Sequence, residues 1–399
     1  MRFPVFASVV AGASVLCLAG CCYYAPRVAV RSRESRAESR ESGAEPLVRV
    51  RLSSGNKAFV SSSQGLNLSA GSYRQSVGPN QVVQANCDGG LVVAAGGGSP
   101  ARIPDTLAVA PATDGFVRVG DRSYRGRLLL FRSADGDLAV VNVLGLEEYL
   151  FGVVPCEIGA KDVRTAEAVK AQAVAARSYT IARLGRRKGL GHDLFDSYLR
   201  DQEYRGTAGE TELGRQAVAA TRGEVLEFCG EVCEALYHAN CGGVTANGSQ
   251  PYLKSVPDTP GQRRGRKAYC SDRPNFSWQL TVRKESLNAV ASRLSGKQCR
   301  VRSSRLEADR QSGRVKYVHL ATDRGSLRLP GSDFRMAMGL KSTAFAMAIR
   351  GSTVTFTGHG WGHGAGMCQD GAVAMAVSGA GYREILLHYY SGVRLQKRY

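Results

Sequence analysis

The chain has 399 residues, enough for one large or two ordinary domains, and its hydrophobic content of 43 % excludes a chain too polar to build a core. It carries 53 Lys and Arg against 34 Asp and Glu, a formal net charge of +19. A surface this basic either attracts polyanions and anionic membranes or simply keeps the protein in solution.

The N-terminus has the pattern of a secretion signal. Arg2 is followed by the apolar run 5–19, which is too short to span a bilayer. The run ends in Leu-Ala-Gly-Cys, a tetrad that resembles a bacterial lipobox, so residues 1–21 are predicted to be a lipoprotein signal peptide with Cys21 as the lipidated residue. The alternative is an ordinary signal peptide with a chance cysteine. Either way the protein leaves the cytoplasm, and a nucleic-acid partner is not expected.

Composition then divides the rest of the chain. Residues 22–46 are rich in Ser, Arg and Glu and nearly free of large apolar groups, which predicts a disordered tether. Residues 47–140 alternate apolar and polar residues, as in LVRVRL, and predict a β-rich N-terminal region, with ADGD at 134–137 as a hairpin turn.

Residues 141–399 mix helical and strand patterns, so the fold class is predicted to be α+β. Apolar residues at three- and four-residue spacing predict a helix within residues 163–184, capped by Asp162 or Thr165 and ended by Gly185. GEVLEF and CEALYH predict a hairpin after Gly223. A Gly-rich loop, GHGWGHGAG, precedes a small-residue helix around 372–377.

Four segments carry a family resemblance in a fixed order. They are EEYLFGVVPCEI with EAVKAQAVAARSYTIA (147–182), DQEYRG (201–206), RGEVLEFCGEVCEALYHANCGGVT (222–245) and GHGWGHGAGMCQDGAVAMAVSGAGYREILLHYYSGV (358–393). Together they resemble the stage II sporulation protein D (SpoIID/LytB-like) family. The resemblance covers most of residues 141–399, which are therefore predicted to be a SpoIID-like catalytic domain.

The resemblance implies that Glu157 is a catalytic acid. Ile158 replaces the methionine usual at the next position. The residues before Glu157 are Val153, Val154 and Pro155, and apolar neighbours that desolvate a carboxyl raise its pKa. The alternative is a glutamate at a helix start, stabilised by the helix dipole.

The activity implied is lytic transglycosylation of peptidoglycan between N-acetylmuramic acid and N-acetylglucosamine, with a 1,6-anhydro product. A single carboxylate is sufficient because the muramic C6 hydroxyl is an intramolecular nucleophile, whereas ordinary glycosidases use a pair. Asp201 and Asp370 are expected to be hydrogen-bonding neighbours only. Strands freed of stem peptides are the preferred substrate.

The resemblance also implies sugar-binding positions. For Arg177 the alternative is a local ion pair, and for the Gly-rich loop, with Trp361 as a stacking surface, it is a tightly packed turn. The predicted substrate-binding residues are Gln172, Arg177, Tyr179, Gln202, Tyr204, His238, Cys241, His363 and Gln369.

No cofactor and no metal are predicted. Some relatives have a zinc site just before the Gln-x-Tyr segment, but here His192 is the only possible ligand in that stretch. A site that uses His238 and Cys241 is not supported by spacing alone. Of the 11 cysteines, Cys229 and Cys233 flank a turn and are predicted either to form a disulfide or to stay free.

Three functional hypotheses remain. The first is the enzyme. The second is a non-catalytic glycan-binding protein that enhances a partner cell-wall amidase, and the third, weaker one is a Cys/His hydrolase. The expected partners are glycan strands, a membrane through the lipid anchor and, under the second hypothesis, the amidase; the expected location is the cell envelope, facing the periplasm or the cell wall.

Overall fold

The computed structural model describes residues 43–52, 55–159 and 162–399. The predicted signal peptide, the lipidation site Cys21 and the tether as far as residue 42 lie outside the described residues, so these assignments stay predictions. No helix in the described ranges is long and apolar enough to cross a membrane.

The N-terminal region is made of strands, as predicted. They are β1 (Leu47–Leu52), β2 (Lys57–Ser61), β3 (Leu66–Ala70), β4 (Tyr73–Val77), β5 (Val83–Cys87), β6 (Leu91–Ala95), β7 (Ala101–Ile103), β8 (Leu107–Pro111), β9 (Val117–Val119), β10 (Arg122–Tyr124), β11 (Arg127–Arg132) and β12 (Leu138–Gly145), and β13 (Leu194–Phe195) joins them later in the chain.

These strands form two sheets around one core. One sheet has the order β13-β1-β12-β11-β8-β3-β4 and the other β10-β9-β2-β5-β6-β7. In β1 the buried Val48 and Val50 alternate with the exposed Leu47 and Arg49, because successive side chains of a strand point to opposite faces. β11 and β12 form the predicted antiparallel hairpin.

Three helices follow the strands, and the first two of them carry the first motif segment. They are α1 (Leu146–Ile158), α2 (Ala166–Arg183) and α3 (Glu212–Ala220). The start of α2 is preceded by a short 3₁₀ turn, in which the side chain of Asp162 accepts a hydrogen bond from the Arg164 N–H. α2 is buried around most of its circumference, and its many alanines allow α1, α3 and two helices near the end of the chain to pack closely against it. The predicted helix is thereby confirmed.

The C-terminal part continues in alternating strands and helices. The elements are β14 (Glu224–Phe228), β15 (Glu231–Val232), β16 (Tyr237–His238), β17 (Ser277–Arg283), α4 (Lys284–Ser295), β18 (Val301–Ala308), β19 (Val315–Thr322), β20 (Gly325–Pro330), α5 (Gly331–Met338), β21 (Phe345–Arg350), β22 (Thr353–His359), β23 (Met367–Cys368), α6 (Gln369–Val377), α7 (Tyr382–Tyr389) and β24 (Arg394–Lys397).

Two separate hydrophobic cores serve this part. One is formed around α2, α6 and α7. The other belongs to residues 287–356, where α4 and α5 pack on the sheets β17-β22-β21 and β18-β19-β20. The α+β class is confirmed, and the small-residue helix predicted around 372–377 is α6.

The predicted hairpin after Gly223 is only partly correct. β14 and β15 pair, but β16 leaves them and pairs in parallel with β23, so that Tyr237 lies opposite Met367. Because Phe228 pairs with Glu231, Cys229 occupies the turn and is exposed, whereas Cys233 is buried. Both cysteines are free in the structure, which agrees with the second of the two alternatives and not with a disulfide.

Candidate active site

Glu157 lies in the last turn of α1. The helix ends at Gly159, whose left-handed φ of 62° allows its N–H to bond to the Pro155 carbonyl. The alternative that Glu157 is a helix-start glutamate is therefore wrong. The C-terminal end of a helix carries partial negative charge, which favours the protonated carboxyl over the carboxylate.

The Glu157 carboxyl is partly buried but has three hydrogen-bond donors. Its Oε1 accepts the Glu203 N–H at 2.7 Å, and the side chains of Tyr237 and Gln369 also bond to it. Burial raises its pKa from 4.5 to about 7, the hydrogen bonds oppose this rise, and the charge of Glu203 adds to it. At neutral pH a large fraction of Glu157 therefore carries a proton, as its apolar neighbours predicted.

Tyr237 is held in place by Gln202. The Gln202 amide nitrogen donates to the Tyr237 hydroxyl at 2.9 Å, and its oxygen accepts the Thr180 hydroxyl at 2.8 Å. Since Gln202 is fully buried and bonded at both ends, the prediction that it binds sugar is wrong. It instead orients the hydroxyl that contacts Glu157.

Gln369 is positioned in the same way by Gln172. Gln369 is the first residue of α6, and its amide nitrogen donates to the Gln172 carbonyl oxygen at 3.2 Å. Gln172 lies on α2 with no exposed surface, so the structure does not bring it to the cleft and its predicted sugar contact is wrong. Gln369 contacts Glu157 and belongs to the acid's immediate surroundings.

Arg177 and Tyr204 belong to the scaffold. The fully buried Arg177 forms a bidentate pair with Glu147, at 2.8 and 2.7 Å, which is the local ion pair that was the alternative interpretation. Tyr204 is also buried, and its hydroxyl donates to Asn142 at 2.8 Å. For both residues the predicted sugar contact is wrong, because their polar atoms are bonded inside the protein.

Tyr179 and Asp201 form a second buried polar group. Asp201 has no exposed side-chain surface and pairs with Arg183 at 2.7 Å and Arg187 at 3.0 Å. The Tyr179 ring lies under the Arg183 guanidinium, 4.4 Å from its carbon, and its hydroxyl reaches Asp201 at 3.4 Å. Tyr179 is thus enclosed and not available to a sugar, contrary to the prediction.

Glu203 is the carboxylate that sequence reasoning missed. Its N–H bonds to Glu157, and its carboxylate pairs with the Arg205 side chain at 2.9 Å. Asp370, one of the two carboxylates considered from sequence, accepts a hydrogen bond from Asn240 at 2.9 Å. The only sequence signal for Glu203 was its place between Gln202 and Tyr204 in a motif segment.

The Gly-rich segment after β22 is a loop, as predicted. Gly360, Gly362, Gly364 and Gly366 all have positive φ, between 72° and 107°. A methyl group at Gly360 would overlap the backbone of residues 240–242, so the packed-turn interpretation holds for this glycine. Such close packing fixes the loop against the strand that carries Tyr237.

The same loop presents aromatic side chains to solvent. Trp361 is 45 % exposed, and the Lys341 ammonium lies 4.7 Å from its ring. The exposed His363 accepts the Ala365 N–H at Nδ1, so its Nε2 carries the proton and donates to the Tyr237 carbonyl at 2.9 Å. Of the predicted sugar-binding residues, His363 therefore lies on the surface and bonds to the residue whose side chain contacts Glu157.

His238 and Cys241 are both buried, so their predicted sugar contact is wrong. His238 bonds through Nδ1 to the Ala365 carbonyl at 3.1 Å. Cys241 lies with Asp258, Cys270 and Cys368, and the ligand atoms of these four are all within 4.8 Å of one another. A nucleophilic Cys/His pair is excluded by this burial, and the four-residue group is one that could hold a metal ion.

Comparison with known proteins supports the family resemblance. The family model described as "Stage II sporulation protein", SpoIID, matches residues 134–228, and a domain of unknown function, DUF8618, matches residues 263–366. The chain is similar to stage II sporulation protein D of Bacillus subtilis (31 % identity; 64 % of this chain, 76 % of that protein) and of Bacillus amyloliquefaciens (30 %; 64 % and 76 %). It is also similar to the amidase enhancer of Bacillus subtilis, with 29 % identity over 62 % of this chain and 40 % of that protein.

Proposed function

Because the chain belongs to the stage II sporulation protein D family, which indicates a role connected with the cell wall, we propose that it cleaves peptidoglycan glycan strands as a lytic transglycosylase. Glu157 is the general acid, and the bond cut is that between N-acetylmuramic acid and N-acetylglucosamine. No cofactor takes part in the proposed reaction.

The observation that carries this proposal is the environment of Glu157. With its pKa raised to about 7, the carboxyl can donate a proton to the glycosidic oxygen as the C1–O bond breaks. The resulting carboxylate then accepts the proton of the muramic C6 hydroxyl while that oxygen bonds to C1. The three hydrogen-bond donors around Glu157 stabilise the carboxylate between these steps, so the group can serve in both roles.

The pairing of the other motif carboxylates with arginines favours a reaction that needs only one catalytic carboxyl group. Asp201 is enclosed by two arginines, and Glu203 is paired with Arg205. A hydrolase would need a second carboxylate to activate water or to attack the sugar. An intramolecular hydroxyl removes that need, which supports transglycosylation.

Two loop residues and the overall charge suit a glycan strand. Trp361 offers an exposed ring on which a sugar face can stack, and the exposed His363 on the same loop bonds to the carbonyl of Tyr237. The overall charge of +19 attracts strands whose muramic acids carry free lactyl carboxylates. We therefore expect strands without stem peptides to be preferred.

Mass spectrometry of glycan products tests the proposal. Wild-type protein should produce 1,6-anhydromuramic ends, whereas Glu157→Gln should bind the strands and produce none, because an amide is nearly isosteric but cannot donate the proton. The matched control is Glu148→Gln, which removes a 43 % exposed carboxyl from the first turn of the same helix and should keep wild-type turnover. Wild-type turnover in Glu157→Gln would remove Glu157 from the mechanism.

The second candidate function is suggested by the amidase enhancer relative. In that case the protein would grip glycan and stimulate a cell-wall amidase without cleaving strands. The two functions differ in one readout: an enhancer would raise amidase turnover equally well as wild type or as Glu157→Gln. If the wild-type protein binds glycan, produces no anhydro ends and stimulates the amidase, the enhancer function would replace the proposed enzyme activity.

We also propose a location in the cell envelope, with a lipid anchor at Cys21. The Leu-Ala-Gly-Cys tetrad supports it, and the tether that follows would allow the catalytic part to reach the wall. Cys21→Ser should release the protein from membranes of its native host. A mature wild-type protein without any acyl mass would contradict the anchor.

A further inference from the structure

Four side chains that the proposed reaction does not use meet behind the active site. They are Cys241 after β16, Asp258, Cys270 in a 3₁₀ turn at Tyr269–Asp272, and Cys368 at the end of β23. Each is at most 2 % exposed. Three stretches of chain that are far apart in sequence thus place three sulfurs and a carboxylate within 4.8 Å of one another.

Backbone N–H groups already bond to the ligand atoms. The Cys241 Sγ accepts the Gly243 N–H at 3.3 Å, and the Cys368 Sγ accepts those of Cys241 at 3.2 Å and Gly371 at 3.3 Å. Such bonds orient thiolates around a metal and reduce their charge.

The carboxylate is held from both sides. Asp258 Oδ2 accepts the Cys270 N–H at 3.2 Å, and Oδ1 accepts the Tyr389 hydroxyl at 2.6 Å. A methyl group at Gly371 would overlap both Asp258 Oδ1 and the Tyr389 oxygen, so glycine is required at the start of α6 for this arrangement.

A buried cation next to the cluster is a second, independent observation. Arg314 is 4 % exposed and donates to the Cys241 carbonyl at 2.8 Å. Within the described ranges no carboxylate lies at ion-pair distance from Arg314, and its Nε has no hydrogen-bond partner. A buried guanidinium without an anion costs several kcal/mol. A metal–thiolate centre with net negative charge would provide the compensating charge.

We propose that Cys241, Asp258, Cys270 and Cys368 bind one Zn²⁺ ion. Zinc prefers four ligands in a tetrahedron, with thiolate sulfurs at about 2.3 Å, which places neighbouring sulfurs about 3.8 Å apart. The sulfurs of Cys241 and Cys270 are 3.5 Å apart, close to this value and far from the roughly 2.05 Å of a disulfide. This differs from the sequence-based expectation of no metal, and the site lies outside the 192–204 stretch considered there.

The ion would stabilise the pairing of β16 with β23, the two strands beside Glu157. Cys368 directly precedes Gln369, which contacts Glu157, and β23 pairs with the β16 strand that carries Tyr237. Zinc at this place would fix two of the donors around the acid without touching substrate. The role is structural and positioning.

Metal analysis of the full-length protein tests the site. The protein is produced with zinc in the medium, purified without a metal-affinity resin and analysed by mass spectrometry of its elements. We expect about one zinc per chain, and less than half of that in Cys270→Ser and in Cys368→Ser. Cys299→Ser, which removes another buried free thiol, should keep the wild-type content.

Three measurements on the wild type do not depend on how the variants fold. Replacement of zinc by Co²⁺ should give the thiolate charge-transfer and tetrahedral d–d absorption bands, and a chelator should lower the melting temperature. Peptide mapping without reduction should find all three cysteines as thiols. The proposal would be overturned by any one of three results. These are a wild type that stays metal-free after refolding with Zn²⁺, a Cys241–Cys270 disulfide, and full zinc retention in folded Cys270→Ser. None of these results depends on glycan cleavage, so they stand apart from the proposed activity.

Discussion

Replacing Glu157 by glutamine should stabilise the protein, and the gain should depend on pH. Burial raises the pKa of this carboxyl above its ordinary value, which means that the folded state disfavours the carboxylate. Below about pH 4.5 both the folded and the unfolded chain hold the proton, so wild type and Glu157→Gln should be equally stable. As the pH rises to about 7, wild type alone loses stability, because only its unfolded state releases the proton readily.

The size of the gain follows from the hydrogen bonds. A rise from 4.5 to about 7 corresponds to about 3 kcal/mol in the free energy of unfolding at most. The donors from Glu203, Tyr237 and Gln369 stabilise the carboxylate more than a neutral carboxyl, which keeps the cost of ionisation below that of burial alone. The partial exposure of Glu157 weakens the effect further. We therefore expect a gain of about 1–2 kcal/mol above pH 7.

Chemical denaturation of wild type and Glu157→Gln measures this gain. The difference in unfolding free energy should be near zero at about pH 4.5, rise through the interval to about 7 and stay constant above it. Glu148→Gln on the same helix is the matched control and should show no such rise. A difference that is independent of pH, or that favours wild type at high pH, would refute the inference that Glu157 is destabilised as a carboxylate.

Three further experiments test a contact of Glu157, the buried ion pair of Arg177 and the preference for denuded strands. Tyr237→Phe removes a donor to the Glu157 carboxylate and should raise its pKa by about one unit, so the loss of activity at high pH should move upward by that amount; an unchanged profile would contradict the contact. Arg177→Met leaves Glu147 buried without its partner and should cost about 3–5 kcal/mol of stability, partly recovered by adding Glu147→Gln; lost activity at full stability would instead indicate a substrate contact. Cleavage of amidase-treated sacculi should be faster than that of intact sacculi and should slow as salt rises, since denuded strands are polyanions; equal rates on both, with no salt dependence, would mean that the charge serves another purpose.

The sequence predicted Glu157 as the acid, but it did not distinguish motif residues at the surface from motif residues that are buried. Motif position and the apolar residues before Glu157 predicted both its place and the direction of its pKa shift. The same kind of match assigned Arg177, Gln202 and Tyr204 to the sugar, although each is fully bonded inside the protein. Their partners lie between 22 and 62 residues away along the chain, so only the fold could show them.

The cysteine cluster was hidden for a related reason. Zinc sites are recognised in sequence when ligands come in closely spaced pairs. Here Cys241, Cys270 and Cys368 come from separate segments, and the packing of residues 287–356 around their own core separates the second from the third. The pairing of β16 with β23, which sequence reasoning replaced by a hairpin, is what brings Cys241 and Cys368 together.

The hydrogen bonds of the buried motif residues lead to Glu157, and this indicates what these residues do. One chain of bonds runs from Thr180 on α2 through Gln202 and Tyr237 to Glu157, and another runs from Gln172, also on α2, through Gln369 to the same carboxyl. Because both chains start from one rigid, buried helix, the two donors approach Glu157 from fixed positions. A carboxyl that first donates and then accepts a proton needs an intermediate pKa. Its anion must be stable enough for the proton to be released, but not so stable that it no longer accepts a proton. Burial and donors acting in opposite directions bring the pKa of Glu157 to about 7, where both steps are possible. In the proposed reaction, the helix that sequence reasoning took for a sugar-binding surface would therefore act through Glu157.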